Sequence, residues 1–362
     1  MSVRHLELAD FRIFRAVHLD LEPEGTTVIT GSNGTGKTSV LEALAYLGTR
    51  RSFRGAPPDA MVRTGAESAI VRAEIDNRDS PALMEAQIMP AGRSRTRVNR
   101  KAVNGRQELG AAAPVTIFSP EDLAIVSGGP KGRREVLDDA LALLDAEGAR
   151  AADETDRVLR QRAALLRQSG GRAAEEVTAT LDVWDQRLAD AGKVLVAARE
   201  RLVGDLDPLV AAAYRHLAGA VDTADQIVMN QRYLRSWEGD LLAALGASRR
   251  DDLRRGVNTV GPHRDDLLLE IDGREARTHA SQGEQRCLAL ALRLGVHELV
   301  RARTTLIPTL LLDDVFSELD PARSRALVAE LPAGQSILTT AAPLPEGIEV
   351  ARLLPVQDLE EG

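Results

Sequence analysis

The sequence predicts an α/β fold that is interrupted by a long helical insertion, and three stretches support this prediction. Residues 31–38 read GSNGTGKT, match the GxxxxGK[ST] pattern of a phosphate-binding loop, and lie between a β-branched segment and an apolar periodic segment. Residues 309–314 read TLLLDD, an apolar strand that ends in two carboxylates. From residue 132 to about residue 255, leucine, alanine and charged residues recur at helical spacing. We therefore expect an α/β unit that begins before the helical region and is completed after it.

The composition is that of a globular protein with more than one domain. The chain has 362 residues, of which 44% are hydrophobic and 28% charged, and its net charge is −8. No apolar run approaches the length of a membrane span, and the first residues do not read as a signal peptide, so we expect a cytoplasmic protein. The single cysteine, Cys287, excludes an internal disulfide and a zinc site made of cysteines. The negative charge argues against nonspecific binding to polyanions by the whole chain, although a local basic surface stays possible.

The loop at residues 31–38 predicts a site for nucleotide phosphates. Its glycines let backbone N–H groups turn toward phosphate oxygens, Lys37 supplies a positive charge for the β and γ phosphates, and the Thr38 hydroxyl can bind Mg²⁺. A glycine-rich turn that matches by chance is the alternative, and the flanking strand and helix disfavour it. The predicted nucleotide-binding residues of the loop are Gly31, Ser32, Asn33, Gly34, Thr35, Gly36, Lys37 and Thr38.

A basic segment of short strands follows the loop. Residues 50–106 contain twelve Lys or Arg against six Asp or Glu, and alternation along a strand would place Arg93, Arg95 and Arg97 on one face. This pattern is consistent with contact to the DNA backbone and also with an ordinary solvated basic face. Base stacking gives little support to the DNA interpretation, because Phe53 is the only aromatic residue in this segment. The candidate DNA-binding residues are Arg50, Arg51, Arg54, Arg93, Arg95 and Arg97.

The helical insertion predicts an arm. Ser169-Gly170-Gly171 interrupts the periodic pattern as the tip of a hairpin would, and Trp184 recurs with leucines at helical intervals, which favours a packing role. Because the insertion has roughly 120 residues and a helix rises about 1.5 Å per residue, we expect short antiparallel helices and no long coiled coil.

Two polar clusters lie after the insertion. Residues 261–266 read GPHRDD and precede an apolar strand, and His263 there is more simply a hydrogen-bonded structural residue than a functional one. Residues 281–286 read SQGEQR and open a helix, with Ser281 as its N-cap. The free amides at that helix end could hold a phosphate. Cys287, one turn further, is expected to pack.

The strand that ends in Asp313 and Asp314 predicts a metal and water site. In a phosphate-loop ATPase, one acid at such a strand end holds Mg²⁺ and the next polarises water. Carboxylates at a strand end can also act as caps, but the phosphate loop in the same chain favours the Mg²⁺ interpretation.

These motifs together resemble the ABC-type P-loop ATPase heads of chromosome-maintenance and recombination proteins, and more closely the RecF family. GPHRDD together with SQGEQR is a specific pair, and the resemblance covers the chain nearly from end to end. It rests on GSNGTGKT, SPEDL at 119–123, GPHRDDL at 261–267, SQGEQR at 281–286, LLLDD at 310–314 and SELD at 317–320.

The resemblance implies a site that is shared by two copies of the chain. ATP and Mg²⁺ would bind at the loop, with Thr38 and Asp313 as metal ligands and with Lys37 and Asp314 as catalytic residues. The γ-phosphate held by Lys37 of one copy would face residues of the other copy, so dimerisation would depend on ATP. The residues that would face it are Ser281, Gln282 and Gly283.

The sequence departs from the wider ABC pattern near the predicted γ-phosphate. Asp314 stands where a glutamate is usual, Thr339-Thr340 stand where a histidine is usual, and no glutamine occurs between residues 114 and 130. A shorter carboxylate reaches the attacking water less well, so we expect slow hydrolysis. The resemblance implies that this ATPase is stimulated by DNA and serves as a switch.

The resemblance implies a DNA-repair and replication protein that binds double-stranded DNA and single/double-stranded junctions at gaps. It would act with RecR and RecO to help load RecA. We expect the ATPase head at residues 1–125 and 256–362, with the helical arm at residues 126–255. A structural DNA clamp related to cohesin-type ATPases is the main alternative. A transporter ATPase and an ATPase fused to a nuclease are disfavoured, because the first usually lacks such an arm and the second needs an appended domain.

Overall fold

A computed structural model describes residues 2–76, 81–103, 105–219 and 228–359. The strands in these ranges are β1 (Ser2–Phe11), β2 (Phe14–Asp20), β3 (Gly25–Thr30), β4 (Ala69–Asp76), β5 (Ala82–Ile88), β6 (Arg95–Val98), β7 (Lys101–Val103), β8 (Val115–Phe118), β9 (Met229–Leu234), β10 (Asp266–Ile271), β11 (Arg274–Glu275), β12 (Thr309–Asp313), β13 (Gln335–Thr340) and β14 (Val350–Pro355). The α-helices are α1 (Lys37–Thr49), α2 (Pro58–Met61), α3 (Arg106–Ala112), α4 (Leu123–Ser127), α5 (Pro130–Leu144), α6 (Ala146–Gln168), α7 (Glu175–Ala218), α8 (Leu241–Arg255), α9 (Ala276–His279), α10 (Gln282–Arg303) and α11 (Pro321–Glu330).

The phosphate loop and the carboxylate pair lie at one edge of a parallel sheet. Within the described ranges this sheet has five strands in the order β14, β3, β13, β12, β8. Strand β12 is buried along its whole length, as its unbroken aliphatic run predicts for a strand covered on both faces. The loop follows β3, β12 ends at Asp313, and β13 lies between these two strands. Because ligands bind at the carboxyl edge of such sheets, the topology unites motifs that lie 275 residues apart.

An antiparallel lobe covers one side of this unit. Its strands, as far as the structure describes them, follow the order β2, β1, β4, β5, β6, β7. Alternate residues such as Leu6, Leu8 and Val71 face inward and form one hydrophobic core with Val40 and Leu41 of α1. Charged side chains alternate with these residues on the outer face, as expected for a sheet with one solvated side.

The helical insertion contains a hairpin of α6 and α7, joined at residues 169–174. The expectation of short helices is wrong for α7, because it has 44 residues and is about 66 Å long. The part of α7 after residue 195 packs against α10, and both belong to the core that contains Leu310 and Leu338 of the parallel sheet. One helix is therefore shared by the hairpin and the head. The boundaries at residues 126 and 255 stay a prediction.

A small sheet joins the base of the hairpin to the head. Its described strands follow the order β11, β10, β9, and it packs against α5 and α7. No helix in the ranges that the structure covers is both long enough and apolar enough to cross a lipid bilayer.

Candidate nucleotide site and neighbouring surfaces

Two glycines of the phosphate loop are packed so closely that a side chain would displace their neighbours. Gly36 has a φ of 97° and ends the loop at the start of α1. A Cβ atom on Gly36 would lie 2.4 Å from Cζ of Phe14, and one on Gly31 would lie 2.6 Å from Cγ1 of Val356. Thr35 Oγ1 donates a hydrogen bond of 2.8 Å to the carbonyl oxygen of Ser32, which closes the turn. The loop therefore presents backbone N–H groups and the N-terminus of α1, as phosphate binding requires.

Lys37 lies across the inside of the loop. Its Nζ donates to the carbonyl oxygens of Gly31 at 2.7 Å and Ser32 at 2.8 Å. The residue is only 7% exposed. The ammonium group is thus already held where phosphate oxygens would enter, and its position fits the predicted role in nucleotide binding.

Asp313 and Thr38 form the predicted metal-binding pair. The Thr38 hydroxyl donates to Asp313 Oδ1 at 2.9 Å, and the Thr339 hydroxyl donates to the same oxygen at 2.7 Å. Burial raises the pKa of Asp313 above its usual value, and the bonds from Thr339 and Thr38 offset part of that rise. A carboxylate beside a hydroxyl at the end of the loop supplies oxygen ligands of the kind that Mg²⁺ prefers.

Asp314 has a backbone conformation that is unusual for a residue with a side chain. Its φ is 47° and its ψ is 29°, in the left-handed region. Its N–H donates to both the carbonyl oxygen and Oγ1 of Thr339, each at 3.1 Å. Its Oδ1 is buried and has no hydrogen-bond partner among the described residues. A buried acceptor without a partner is costly, so this oxygen fits a role toward a group that binds in the cavity.

Five of the eight predicted loop residues and both residues of the carboxylate pair line one cavity. It has a volume of about 570 Å³, and its walls include Lys37, Thr38, Asp313 and Asp314. Arg54, which the sequence placed among the DNA-binding candidates, also lines this cavity and lies 3.7 Å from Glu121. Arg12, which is paired with Glu42, lines the cavity too, so two guanidinium groups lie in the nucleotide site beside Lys37, and local sequence indicated neither.

The residues expected to face the γ-phosphate of another copy, Ser281, Gln282 and Gly283, lie elsewhere. Ser281 caps α10, because its Oγ accepts a hydrogen bond from Glu284 N at 3.3 Å and Glu284 Oε2 accepts one from Ser281 N at 2.7 Å. A Cβ on Gly283 would lie 2.6 Å from Nη1 of Arg323. In the part of the chain that the structure describes, Ser281, Gln282 and Gly283 do not line the cavity of the phosphate loop.

The other DNA-binding candidates fall into two places. Arg50 and Arg51 lie at the C-terminal end of α1, where Arg51 forms an ion pair with Asp139. Arg93, Arg95 and Arg97 are exposed on the antiparallel lobe, with Arg93 in the turn before β6. The six arginines therefore do not form one surface.

A ladder of alternating charges crosses the outer face of this lobe. Glu7 lies opposite Arg72, Arg72 opposite Glu85, and Glu85 opposite Arg97, on four neighbouring strands. The ion-pair distances are 3.6, 2.6 and 3.7 Å in that order. Arg95 lies instead opposite Gln87 and forms no ion pair with any described residue. Arg95 is therefore more available to a phosphate than Arg97.

The GPHRDD cluster is a structural junction. Arg199 of α7 forms a buried ion pair with Asp138 of α5 at 2.8 Å and donates to the carbonyl oxygen of Pro262 at 3.0 Å. Asp265 accepts a hydrogen bond of 2.6 Å from Tyr233. Burial lowers the pKa of His263 to about 4. A neutral, enclosed imidazole supports the structural interpretation of His263.

Known proteins resemble the chain over nearly its whole length. A family profile described as the RecF/RecN/SMC N terminal domain matches residues 2–340. DNA replication and repair protein RecF of Beutenbergia cavernae is 40% identical over 387 aligned positions, which cover 98% of this chain and 97% of that protein. The protein of the same name from Frankia alni is 42% identical over 361 positions, which cover 94% and 93%.

Solved structures of related proteins also superpose on nearly the whole chain. The recombination mediator protein RecF with ATP, in the RecFOR pathway, superposes with a TM-score of 0.82 at 28% identity, covering 96% of this chain and 95% of that one. The Smc head bound to the C-winged helix domain of ScpA superposes with a TM-score of 0.53 at 15% identity, covering 94% and 90%, and this likeness concerns the fold alone. The predicted α/β ATPase head with a helical arm is confirmed.

Proposed function

The chain belongs to the RecF family, and on that premise we propose that it is an ATP-dependent DNA-binding protein of recombinational repair and replication. The observation that carries this proposal is the division of the predicted nucleotide site. Lys37, Thr38, Asp313 and Asp314 line one cavity, whereas the helix end at Ser281 lies outside it. Such a site is half complete in one copy of the chain.

The nucleotide that we propose is ATP with Mg²⁺. The loop amides and Lys37 bind the phosphates, and Thr38 and Asp313 hold the metal ion. The metal ion, when bound, neutralises charge on the β and γ phosphates. Asp314 orients the attacking water through its unpartnered carboxylate oxygen. The solved RecF structure with ATP supports this choice of nucleotide.

A second copy completes the site. The N-terminus of α10 carries free amides that favour an anion, and its N-cap Ser281 is exposed. We infer that this helix end contacts the γ-phosphate bound by the partner subunit, together with Gln282 and Gly283. ATP then bridges two copies, and its hydrolysis releases them. Asp314 has a shorter side chain than glutamate, so turnover is slow and the nucleotide acts as a switch.

DNA binding depends on the dimer. Arg93 and Arg95 on the antiparallel lobe supply phosphate contacts, with Arg97 contributing less because of Glu85. The proposed target is gapped DNA or a single/double-stranded junction. The proposed partners are RecR, together with RecO, and the outcome is loading of RecA. This role places the protein in the cytoplasm. The RecFOR pathway named for the related solved structure supports these partners.

The alternative function, a structural clamp of the cohesin type, needs long arms. Helix α6 has 23 residues, so the paired part of the hairpin extends only about 35 Å. Enclosure of DNA by such a hairpin is not supported, and the repair function is preferred.

The test is DNA binding with gapped, blunt double-stranded and single-stranded substrates, each with and without ATP and Mg²⁺. We expect ATP to tighten binding and the gapped substrate to bind best. The matched control is Lys37→Ala, which should bind DNA equally with and without ATP. The proposal would be contradicted if the unmodified protein bound all three substrates with the same affinity and ATP did not change that affinity.

A further inference from the structure

Thr339 occupies a central place that the predicted machinery does not use. It lies near the end of β13, between the strand that precedes the phosphate loop and the strand that ends in Asp313. The residue is fully buried.

The Thr339 hydroxyl makes one hydrogen bond to each of the two acidic residues. As a donor it contacts Asp313 Oδ1 at 2.7 Å, and as an acceptor it receives the Asp314 N–H at 3.1 Å. A hydroxyl has one proton to donate and lone pairs to accept with, so both bonds form at once. A single side chain thereby links the side chain of Asp313 to the backbone of Asp314.

The two bonds have different consequences. Asp313 Oδ1 already accepts from Thr38, so the second donor brings both hydroxyls to the same carboxylate oxygen and fixes the orientation of this side chain. Asp314 is held in a left-handed conformation that is costly for a residue with a Cβ. The bonds to Thr339 offset that cost, and the resulting turn leaves Asp314 Oδ1 without a partner at the cavity.

We propose that Thr339 is a positioning residue, which fixes the metal-binding carboxylate and the water-orienting carboxylate relative to each other. Thr339 also lines the nucleotide cavity, but its hydroxyl is engaged by Asp313 and Asp314, and it acts through these two residues. The proposal rests on the proposed ATP and Mg²⁺ site. Groups of this kind typically change metal affinity or activity about 10- to 100-fold when they are removed.

Thr340 provides a matched control. It has the same side chain, lies next in the same strand and is also buried. Its hydroxyl donates to the carbonyl oxygen of Ala342 at 2.8 Å and accepts from the Ala342 N–H at 3.0 Å. Thr340→Val therefore removes an equivalent pair of hydrogen bonds without touching either acidic residue.

The experiment compares Thr339→Val, Thr339→Ser and Thr340→Val by three measurements. Thr339→Val keeps the shape of the side chain and also keeps the bond from Asp314 N–H to the residue 339 carbonyl oxygen, so the fold is retained. In the nucleotide-free protein we expect hydrogen exchange at the Asp314 amide to become about fivefold faster. The Mg²⁺ concentration for half-maximal ATP binding should rise, and turnover should fall, each about tenfold. Thr339→Ser should restore all three values, and Thr340→Val should leave them near those of the unmodified protein.

The outcomes separate this proposal from the one on which it rests. Wild-type exchange, Mg²⁺ dependence and turnover in Thr339→Val would overturn the positioning role, as would equal losses in Thr340→Val. Absence of Mg²⁺-dependent ATP binding in the unmodified protein would instead overturn the nucleotide site itself. A variant that loses only thermal stability would reduce Thr339 to a packing residue and also refute the proposal.

Discussion

The charge ladder on the antiparallel lobe predicts which arginine matters most for DNA binding. Arg95 lies opposite an uncharged glutamine, whereas Arg97 is 3.7 Å from Glu85. Along the ladder that links Glu7 to Arg97, each positive charge is matched by a neighbouring negative charge. We therefore expect Arg95→Gln to weaken binding more than Arg97→Gln does.

The magnitude follows from counterion release. Each phosphate contact contributes about 0.9 to the slope of log affinity against log salt concentration. Arg95→Gln should lower this slope by about 0.9, and Arg97→Gln should lower it by less. The double charge reversal of Arg95 and Arg97 to glutamate should lower it by about 2. Glu85→Gln should act in the opposite direction, because it releases Arg97 from its partner.

The assay is fluorescence anisotropy with gapped DNA over a range of salt concentrations, in the presence of ATP. ATP binding measured separately is the control, because the lobe face does not line the nucleotide cavity. If the double charge reversal leaves both affinity and slope at wild-type values, the lobe is not the DNA surface. The hairpin of α6 and α7 then becomes the better candidate.

Three further predictions concern the nucleotide site and its surroundings. Lys37→Ala should abolish ATP binding, whereas Asp314→Asn should keep binding and slow hydrolysis about 100-fold or more, in equilibrium-binding and turnover assays; unchanged turnover in Asp314→Asn would refute its catalytic role. The pKa of Asp313 is raised, so ionisation of this carboxyl group lowers the stability of the folded protein as the pH rises. Near neutral pH, Asp313→Asn should therefore have an unfolding temperature at least as high as that of the unmodified protein. The same variant should lose Mg²⁺-dependent ATP binding. Burial lowers the pKa of His263 and of His297 from 6.5 to about 4, so the free energy of unfolding should fall by about 1.4 kcal/mol per pH unit for each histidine as the pH drops from 6.5 to 4. Denaturation series with His297→Asn should show a smaller fall, and an unchanged pH dependence would contradict the neutral, buried state.

Contiguous motifs were predictable from the sequence. The phosphate loop, its flanking strand and helix, and the strand that ends in Asp313 are each encoded in fewer than twenty neighbouring residues, so local pattern suffices. Their meeting at one sheet edge follows from the rule that parallel strands share their carboxyl ends. The N-cap role of Ser281 follows from the glutamate three residues later.

Cross-strand partners were not predictable. The charge on Arg97 is offset by Glu85, and that pairing is set by the register of β5 and β6. Register depends on the turns and on which face is buried, and a slip of one residue would exchange the two faces. The position of Arg54 in the nucleotide cavity likewise depends on how the segment after α1 folds back. The number of arginines in a segment does not indicate this fold.

The expectation of short helices came from the length of the insertion, but α7 alone has 44 residues because its second half continues into the core of the head. Pro208 lies inside α7, where a proline removes a helical N–H donor and usually marks an end. The helix continues because Leu206 and Val210 on either side are fully buried in the core shared with α10. Tertiary packing therefore outweighs the local preference, and only the packed structure reveals it.

The central claim is that one copy of the chain holds half of the nucleotide site and that ATP joins two copies. The most direct test is the mass of the protein in solution, measured by light scattering with and without ATP and Mg²⁺, for the unmodified chain and for Ser281→Arg. Ser281→Asn, which retains an N-cap side chain without the bulk, is the control for helix capping. We expect a monomer without nucleotide, a dimer with ATP, and a Ser281→Arg variant that binds ATP but stays monomeric. A Ser281→Arg variant that still dimerises, or an unmodified protein that dimerises equally without nucleotide, would contradict the shared site.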